Sequence, residues 1–359
     1  MIYRIIIRAT QIVLVLLALL VVTTFMISPQ ETAPFLDDDG QPIENSIAEI
    51  RNVTLNGVEQ RLLIRGKNKA NPLMLHLHGG PGGADQAIVR SSGKTVEDMF
   101  TVVYWDQRGA GASFDSDLDP SSLSLDNIVA DGVLLAEKLT KEFGKEKIYL
   151  QGHSWGTLVG VHMISSKPSL FNAFIGIGQI AKSKQAEILS YNYTYAAAKR
   201  AGDQETLDKL SEIGAPPYDS DQRWIDNVMI ERSLMLPYEM PNGEPFLSLV
   251  EIYKNFIFYP EYSVADKLNS LEGSKVSLQE LWMHAINADL FVTHPSLPVP
   301  VYFLQGKYDQ HTVTEVARDY YEMLEAPSKE YFSFDNSAHW PHLKEHQRYR
   351  EILTAIVDK

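Results

Sequence analysis

The stretch Gly152-His153-Ser154-Trp155-Gly156 follows the apolar run Ile148-Tyr149-Leu150 and precedes a second run of mostly small and apolar residues, 157–164. This order predicts a β-strand, a tight turn that carries Ser154, and a helix that ends before Pro168. The backbone of such a turn is strained, so the residues beside the serine must be small. The two glycines meet that need. The G-x-S-x-G pattern in this context therefore predicts that Ser154 is a catalytic nucleophile.

The composition describes a large, acidic protein without cysteine. Its 359 residues are 45% hydrophobic, enough for one domain with an insertion or two closely packed domains. The lack of cysteine excludes disulfides, thiolate catalysis and cysteine-ligated zinc, and no pattern indicates a metal or a cofactor. The net charge of −14 would repel phosphate backbones, so nucleic acid is not an expected partner. The acidity favours solubility, or gives a mild preference for cationic or amine-bearing substrates.

Residues 1–28 have the pattern of a transmembrane anchor. The 19 residues 9–27 include only four polar side chains, and a helix of that length spans about 28 Å, close to a bilayer core. Arg4 and Arg8 precede the run, which predicts a cytoplasmic N-terminus and a catalytic part outside the cytoplasm. A cleaved signal peptide is the alternative interpretation. Residues 29–46 are predicted to be a polar tether.

The remaining chain alternates predicted strands with predicted helices. The strands are 47–55, 58–65, 72–78, 100–105, 147–151, 171–177, 299–305 and 330–334, and the helices include 123–143, 313–324 and 341–357. This alternation predicts an α/β fold with a mostly parallel sheet flanked by helices. Residues 181–290 instead read as helices and loops, which predicts an insertion over the carboxyl edge of the sheet, where such sheets place their sites.

A serine nucleophile needs a base and an acid that orients the base, and in hydrolases with this elbow the chain order is serine, acid, histidine. Asp309 follows the strand 299–305, and His339 follows the last strand. Both lie in loops at carboxyl ends of strands, where they can converge on Ser154. The predicted triad is therefore Ser154, Asp309 and His339.

Other residues could fill these two roles. Asp335 is the rival acid, but it follows its strand too directly to reach around the imidazole of His339. His311, His342 and His346 are the rival bases. The last two lie four residues apart in the predicted final helix, which indicates surface or helix-end positions.

The loop His78-Gly79-Gly80-Pro81-Gly82-Gly83 follows the third predicted strand. Backbone N–H groups stabilise the oxyanion of a tetrahedral intermediate, and glycines let a backbone approach the substrate closely. Trp155, the residue after the nucleophile, is predicted to supply one N–H donor, and this loop the other. The alternative, a phosphate-binding loop, is disfavoured because Pro81 lacks an N–H and no Lys-Ser or Lys-Thr follows.

Three segments together resemble the proline iminopeptidase (prolyl aminopeptidase) branch of the α/β hydrolases. They are His78–Gly82, Asp106-Gln107-Arg108-Gly109-Ala110-Gly111-Ala112-Ser113 and Gly152–Gly156. The resemblance spans residues 47–359 and implies an α/β-hydrolase core at 47–180 and 296–359 with a helical cap at 181–295. It also implies Gly80 as the second oxyanion donor, structural roles for Asp106 and Arg108, and release of N-terminal residues, often proline, from peptides.

The cap departs from this family in one respect. Family members carry a Trp-rich stretch ending in a glutamate that binds the substrate amine, and this chain has none. The cap carboxylates singled out from the sequence are Glu231, Glu239, Glu244 and Glu251. Glu231 and Glu239 are the candidate substrate-binding residues, and surface positions are the alternative.

Three functional hypotheses follow. The first is a membrane-anchored serine aminopeptidase, and the second is an esterase, lipase or amidase that uses the same triad. The third is a non-catalytic binding protein on a hydrolase scaffold, which an intact triad disfavours. Epoxide hydrolases and dehalogenases of this fold place aspartate at the elbow, which Ser154 excludes.

Overall fold

An eight-stranded sheet forms the centre of the computed structural model, which describes residues 27–241 and 249–359. Its strands are β1 Ile47–Leu55, β2 Val58–Gly66, β3 Leu73–Leu77, β4 Thr101–Trp105, β5 Ile148–His153, β6 Phe171–Ile177, β7 Val301–Gly306 and β8 Lys329–Phe334. Their order across the sheet is β1-β2-β4-β3-β5-β6-β7-β8. β2 is antiparallel to both of its neighbours, and all pairings from β4 to β8 are parallel. The predicted mostly parallel sheet is confirmed.

The central strands are buried on both faces. Every residue of β3, β4 and β7 is buried, as expected of parallel strands covered by helices on both sides. β1 lies at the sheet edge and is only partly buried. A tight turn joins it to β2, with positive φ at Asn56 (44°) and Gly57 (80°), as the Asn-Gly pair predicts.

Helices cover both faces of the sheet. In chain order the described helices are α1 Gln86–Ser91, α2 Leu125–Phe143, α3 Trp155–Ser166, α4 Ser183–Ala201, α5 Gln204–Ile213, α6 Asp221–Glu239, α7 Leu249–Ile257, α8 Val264–Ile286, α9 Leu290–Thr293, α10 Thr314–Met323, α11 Pro341–Lys344 and α12 His346–Val357. Apolar residues of α2, α3 and α10 pack in one core on one face. Residues of α1 and α12 pack in a second core on the other face.

The chain between β6 and β7 contains α4 to α9, and no strand occurs there in the residues that the structure describes. Side chains of α4, α6, α7 and α8 line one cavity together with residues that follow β3, β5 and β8. Because those residues follow the carboxyl ends of parallel strands, the helical segment lies over the carboxyl edge of the sheet.

The C-terminal helix is not continuous, which corrects the predicted helix 341–357. It breaks between α11 and α12 at Glu345, whose φ and ψ are −114° and 53°. The Glu345 carboxylate accepts hydrogen bonds from the Asn336 N–H (2.9 Å) and the Ser337 hydroxyl (2.6 Å). These bonds tie the start of the last helix to the loop that leads to His339.

Only part of the N-terminal region is described, because the described residues begin at residue 27. The predicted transmembrane helix lies almost entirely in residues 1–26, outside them. In the part of the chain that the structure describes, no helix is long and apolar enough to cross a bilayer. Residues 28–33 are held by side-chain contacts: Arg65 donates hydrogen bonds to the Thr32 hydroxyl (2.5 Å) and the Ala33 carbonyl (2.7 Å).

Candidate active site

Ser154 lies at the junction between β5 and α3 with φ 52° and ψ −118°, a strained backbone that points to a functional position. The flanking glycines are required by close backbone contacts. A Cβ added at Gly152 would lie 2.4 Å from the Gly156 carbonyl oxygen, and one at Gly156 would lie 2.2 Å from the Leu77 carbonyl oxygen. No side chain fits at either position without moving β3 or α3.

His339 and Asp309 form a buried pair. His339 Nδ1 lies 2.9 Å from Asp309 Oδ2, and the Asp309 side chain is wholly buried. A carboxylate only accepts hydrogen bonds, so Nδ1 carries the proton and Nε2 is left with a lone pair. Asp309 also accepts the backbone N–H groups of His311 and Thr312 at 2.9 Å each. These bonds fix the carboxylate against the imidazole.

The surroundings shift the pKa values of both partners downward. Burial raises the pKa of Asp309, but the attraction and hydrogen bond of His339 and the bonds from Thr312 outweigh it and hold that pKa below its ordinary value. Burial lowers the pKa of His339, and Asp309 only partly offsets this. The imidazole is therefore neutral and the carboxylate ionised near neutral pH, the states needed for base catalysis.

The rival residues occupy other environments. Asp335 is exposed. The His311 ring stacks on that of His339 with a centroid separation of 4.7 Å and lines the same cavity. Of the surface or helix-end positions predicted for His342, the surface position is wrong and the helix-end position holds: His342 is buried near the start of α11, and its ring centroid lies 5.3 Å from that of His153. Neither of its ring nitrogens has a hydrogen-bond partner among the described residues. The helix break at Glu345 is the reason, because it separates His342 from the final helix.

The glycine-rich loop after β3 lies against the elbow. A Cβ at Gly79 would come within 3.3 Å of Ser154 Cβ, and Gly80 has a φ of 118° that favours glycine. Gln107 holds this loop to the elbow, because its amide donates to the His78 carbonyl (3.2 Å) and accepts from Trp155 Nε1 (3.0 Å). Gly80 and Trp155 are therefore adjacent to Ser154.

Asp106 and Arg108 bond to groups in the interior. The Asp106 carboxylate accepts hydrogen bonds from Gln86 (2.5 Å) and Tyr262 (2.6 Å). Arg108 forms a bidentate pair with the buried Asp131, at 2.7 and 3.0 Å. Neither residue lines the cavity at Ser154, so the two fix the loop segment that carries Gln107 between them.

A second buried network lies behind the elbow. His153 Nε2 lies 2.9 Å from the His339 carbonyl oxygen, so this nitrogen is the donor. The other nitrogen, Nδ1, faces Asp85 Oδ2 at 3.6 Å, and Asp85 Oδ1 bonds to His76 Nε2 at 2.9 Å. Asp85 and His153 thus help to fix the position of the His339 backbone.

The cavity above Ser154 has a volume of about 570 Å³. Its floor is formed by Ser154, Gly79, Gly80, His339 and His311, and its walls by helices of the segment between β6 and β7 together with Trp340. Most of the wall is apolar, and its larger side chains are Ile252, Phe256, Leu278, Trp282, Ile286 and Trp340. Among residues 27–241 and 249–359, no three His, Asp or Glu side chains are arranged to hold a metal ion.

Glu187 and Arg232 are charged residues that the cap helices contribute to the cavity lining, and sequence reasoning missed both. Arg232 lies 2.6 Å from Glu187 Oε1 and also donates to the His311 carbonyl at 2.9 Å. Burial raises the pKa of Glu187 to about 7, although Arg232 opposes this. The sequence held one signal that could have identified Glu187, namely its position in the chain. Glu187 lies in the first turns of α4, the first helix after β6, and therefore close to the carboxyl edge of the sheet.

The carboxylates singled out from the sequence lie elsewhere. Glu231 and Glu239 are buried, so the surface alternative is wrong for both, yet neither lines the cavity. Glu231 accepts hydrogen bonds from Thr194 (2.6 Å) and Ser190. Glu239 lies behind His311, 3.6 Å from its Nε2. Glu244 is outside the described residues, and Glu251 is exposed on α7.

Comparison with known sequences identifies the fold family and several named relatives. A family model described as the alpha/beta hydrolase fold matches residues 72–346. A protein named "Probable aminopeptidase YbaC", from Bacillus subtilis, is 32% identical over 327 residues, covering 87% of this chain and 97% of that protein. A proline iminopeptidase of Saccharolobus solfataricus is 24% identical, covering 82% of this chain and 87% of that protein. The predicted resemblance to prolyl aminopeptidases is confirmed.

Comparison with solved structures supports the same fold. A proline iminopeptidase-related protein from Thermus thermophilus superposes with a TM-score of 0.57 at 20% identity, covering 87% of this chain and 98% of that one. An epoxide hydrolase of Bacillus megaterium superposes with a TM-score of 0.53 at 18% identity, covering 86% and 100%. At these identities the likeness concerns the fold alone.

Proposed function

This chain belongs to the α/β-hydrolase fold family, and we propose that it is a serine hydrolase that releases N-terminal residues, proline among them, from peptides. The observation that carries the proposal is the buried pair of His339 and Asp309, 2.9 Å apart, whose histidine lines the same cavity as Ser154. The aminopeptidase and proline iminopeptidase relatives support the peptidase assignment.

In the proposed mechanism, Ser154 Oγ attacks the carbonyl carbon of the first peptide bond while His339 Nε2 takes the hydroxyl proton. Asp309 stabilises the resulting imidazolium. The N–H groups of Gly80 and Trp155 stabilise the oxyanion. The intermediate collapses as His339 returns the proton to the leaving amine, and an acyl-enzyme forms on Ser154. Water, activated by His339, then hydrolyses that ester and frees the N-terminal residue.

The charge of the cavity wall favours a substrate that carries an ammonium group. Arg232 is surrounded by acidic groups: it pairs with Glu187 and is attracted by Glu231 and Asp309. Once Glu187 and Asp309 are ionised, the carboxylates outnumber this arginine. Because Glu187 lines the cavity and Glu231 and Glu239 do not, Glu187 is the proposed partner of the substrate amine.

The nucleophile is tested with a fluorophosphonate probe, which labels activated serines. Wild type should be labelled, Ser154→Ala should not, and turnover should fall by about 10⁴ or more. Ser183→Ala is the matched control, because Ser183 is a second serine that lines the cavity, and it should be labelled normally. Labelling retained in Ser154→Ala would contradict the assignment and favour a binding protein or another nucleophile.

The peptidase assignment is tested with a panel of aminoacyl anilides, their N-acetylated forms and simple esters. An aminopeptidase should prefer the free amine, and Glu187→Gln should raise KM for that form by about tenfold or more while leaving acetylated substrates unchanged. Glu231→Gln is the control for a longer-range charge effect and should change KM little. A preference for esters, together with an unchanged KM in Glu187→Gln, would favour the esterase alternative. The apolar wall of the cavity would also accommodate an ester with an apolar acyl group.

The proposed placement of the enzyme rests on the N-terminal sequence. We propose that residues 1–28 anchor the chain in a membrane with the core, 47–180 and 296–359, and the cap, 181–295, outside the cytoplasm. The support is the apolar run 9–27 preceded by Arg4 and Arg8.

A further inference from the structure

Exposed apolar side chains are concentrated in one short part of the cap. Thirteen large hydrophobic residues are exposed in the described ranges, and six of them lie between residues 250 and 271. These six, here called the cap apolar face, are Val250, Tyr253, Ile257, Phe258, Leu268 and Leu271. Exposed apolar clusters of this kind mark contact surfaces rather than ordinary solvent-facing positions.

Helical spacing places these residues on common faces. Val250, Tyr253 and Ile257 are separated by three and four positions on α7, which is one side of a helix. Leu268 and Leu271 are three positions apart on α8, and Phe258 follows α7 directly. Tyr253 and Leu271 are exposed and also line the cavity above Ser154. The cap apolar face therefore borders the mouth of the cavity.

The N-terminal chain reaches the fold at the same place. Lys267 Nζ donates one hydrogen bond to the Ser28 hydroxyl and another to the Ile257 carbonyl, each at 2.7 Å. Gln30 donates to Asp266 at 3.2 Å. Ser28 thus lies beside the cap apolar face, and the residues before it are the apolar run 9–27. A segment with the length and apolarity of a membrane span joins the fold at the edge of this face.

We propose that the cap apolar face inserts into the surface of a lipid bilayer, so that the cavity opens at the lipid–water interface. The two apolar features would then meet the same membrane. Amphipathic helices of this kind bury their apolar side about 5–10 Å into the headgroup region. The net charge of −14 rules out general attraction to anionic lipid as the driving force. Binding should therefore occur on zwitterionic lipid and be insensitive to salt.

The full-length chain is suited to a direct test because it contains no cysteine. One cysteine is introduced at Val250 or at Leu268 and carries an environment-sensitive fluorophore, and the protein is placed in phosphatidylcholine vesicles with or without nitroxide-labelled lipid. Val292→Cys is the matched control, because Val292 is 75% exposed, Val250 is 76% exposed, and Val292 lies outside the face on α9. The nitroxide lipid should quench the labels at 250 and 268 roughly twofold or more, unchanged by salt, and leave 292 unaffected.

A second measurement removes the apolar character of the face. In a chain with Val250→Asp and Leu268→Asp, which do not line the cavity, a label at Phe258→Cys should lose most of its quenching. Equal quenching at 250, 268 and 292, or quenching at none, would overturn the proposal. Protection of 250 and 268 without lipid quenching would also overturn it, and would favour a second copy or the N-terminal segment as the occupant. None of these readouts uses hydrolysis, so their failure leaves the proposed function untouched.

Discussion

At the scale of single residues, the choice between two aspartates decides the proposed mechanism. Asp309 is wholly buried and bonded to His339, whereas Asp335 is exposed. Asp309→Asn should lower kcat by about 10⁴, because an amide no longer holds the imidazole in its reactive tautomer. Asp335→Asn should change kcat by less than about twofold, as a surface substitution. Steady-state kinetics of both variants checks this, and the reverse ranking would identify Asp335 as the acid.

The pH dependence separates recognition of the amine from chemistry. Burial raises the pKa of Glu187 to about 7, so its carboxylate becomes neutral as the pH falls through 7. KM for free-amine substrates should then rise, while KM for acetylated substrates should stay flat. Burial lowers the pKa of His339 below 6.5, so kcat should persist to a pH below that value. Initial rates between pH 5 and pH 8 for both substrate classes provide the measurement, and a parallel rise of both KM values would argue against Glu187.

At the scale of elements, the strand–turn–helix unit of β5 and α3 depends on backbone contact. Gly156→Ala places a Cβ 2.2 Å from the Leu77 carbonyl oxygen of β3, so α3 must move away from the sheet. Stability should fall by roughly 3 kcal/mol, in the range of a severe core overpacking. Gly202→Ala is the control: nothing lies within 4 Å of its added Cβ, and only its positive φ costs free energy, about 1 kcal/mol. Urea unfolding of both variants measures the difference, and equal losses would refute the contact argument.

At the scale of the whole molecule, the N-terminal segment joins the proposed anchor to both cap and core. A chain shortened to begin at Ser28 keeps its bonds to Lys267 and Arg65, and should be soluble with the turnover of the full-length protein on small substrates. A chain that begins at Leu36 loses the bonds from Arg65 to Thr32 and Ala33. It should melt a few degrees lower, since each lost bond is worth about 1 kcal/mol and each kcal/mol shifts the melting temperature of a chain of this length by about 1–2 °C.

Membrane washing supplies the complementary measurement. The full-length protein should stay with membranes through high salt and alkaline washes, because burial of an apolar helix does not depend on charge. Release by salt would indicate peripheral attachment. A mature N-terminus near Pro29 would indicate a cleaved signal peptide.

The local chemistry of the chain follows from short-range patterns in its sequence. Strands buried on both faces are mostly apolar, so β3, β5 and β7 could be predicted from the short apolar runs that they contain. The elbow could be predicted because Gly152 and Gly156 lie where a Cβ would collide with backbone atoms, so the pattern keeps glycine at both positions. The order of Ser154, Asp309 and His339 after the ends of β5, β7 and β8 was also predictable, because parallel strands bring their carboxyl ends to one edge.

Two features were decided only by the tertiary structure. One is which cap carboxylate faces the cavity, and the other is where the C-terminal helix breaks. Glu187 and Arg232 are 45 positions apart, and no local pattern links residues on two different helices. His342 is buried because Glu345 leaves the helix to bond with Asn336 and Ser337, a contact between side chain and loop that helical periodicity does not encode. Burial, charge pairing and the position of the cap apolar face beside Ser28 depend on packing between distant segments, whereas periodicity and turn chemistry depend only on neighbours in the chain.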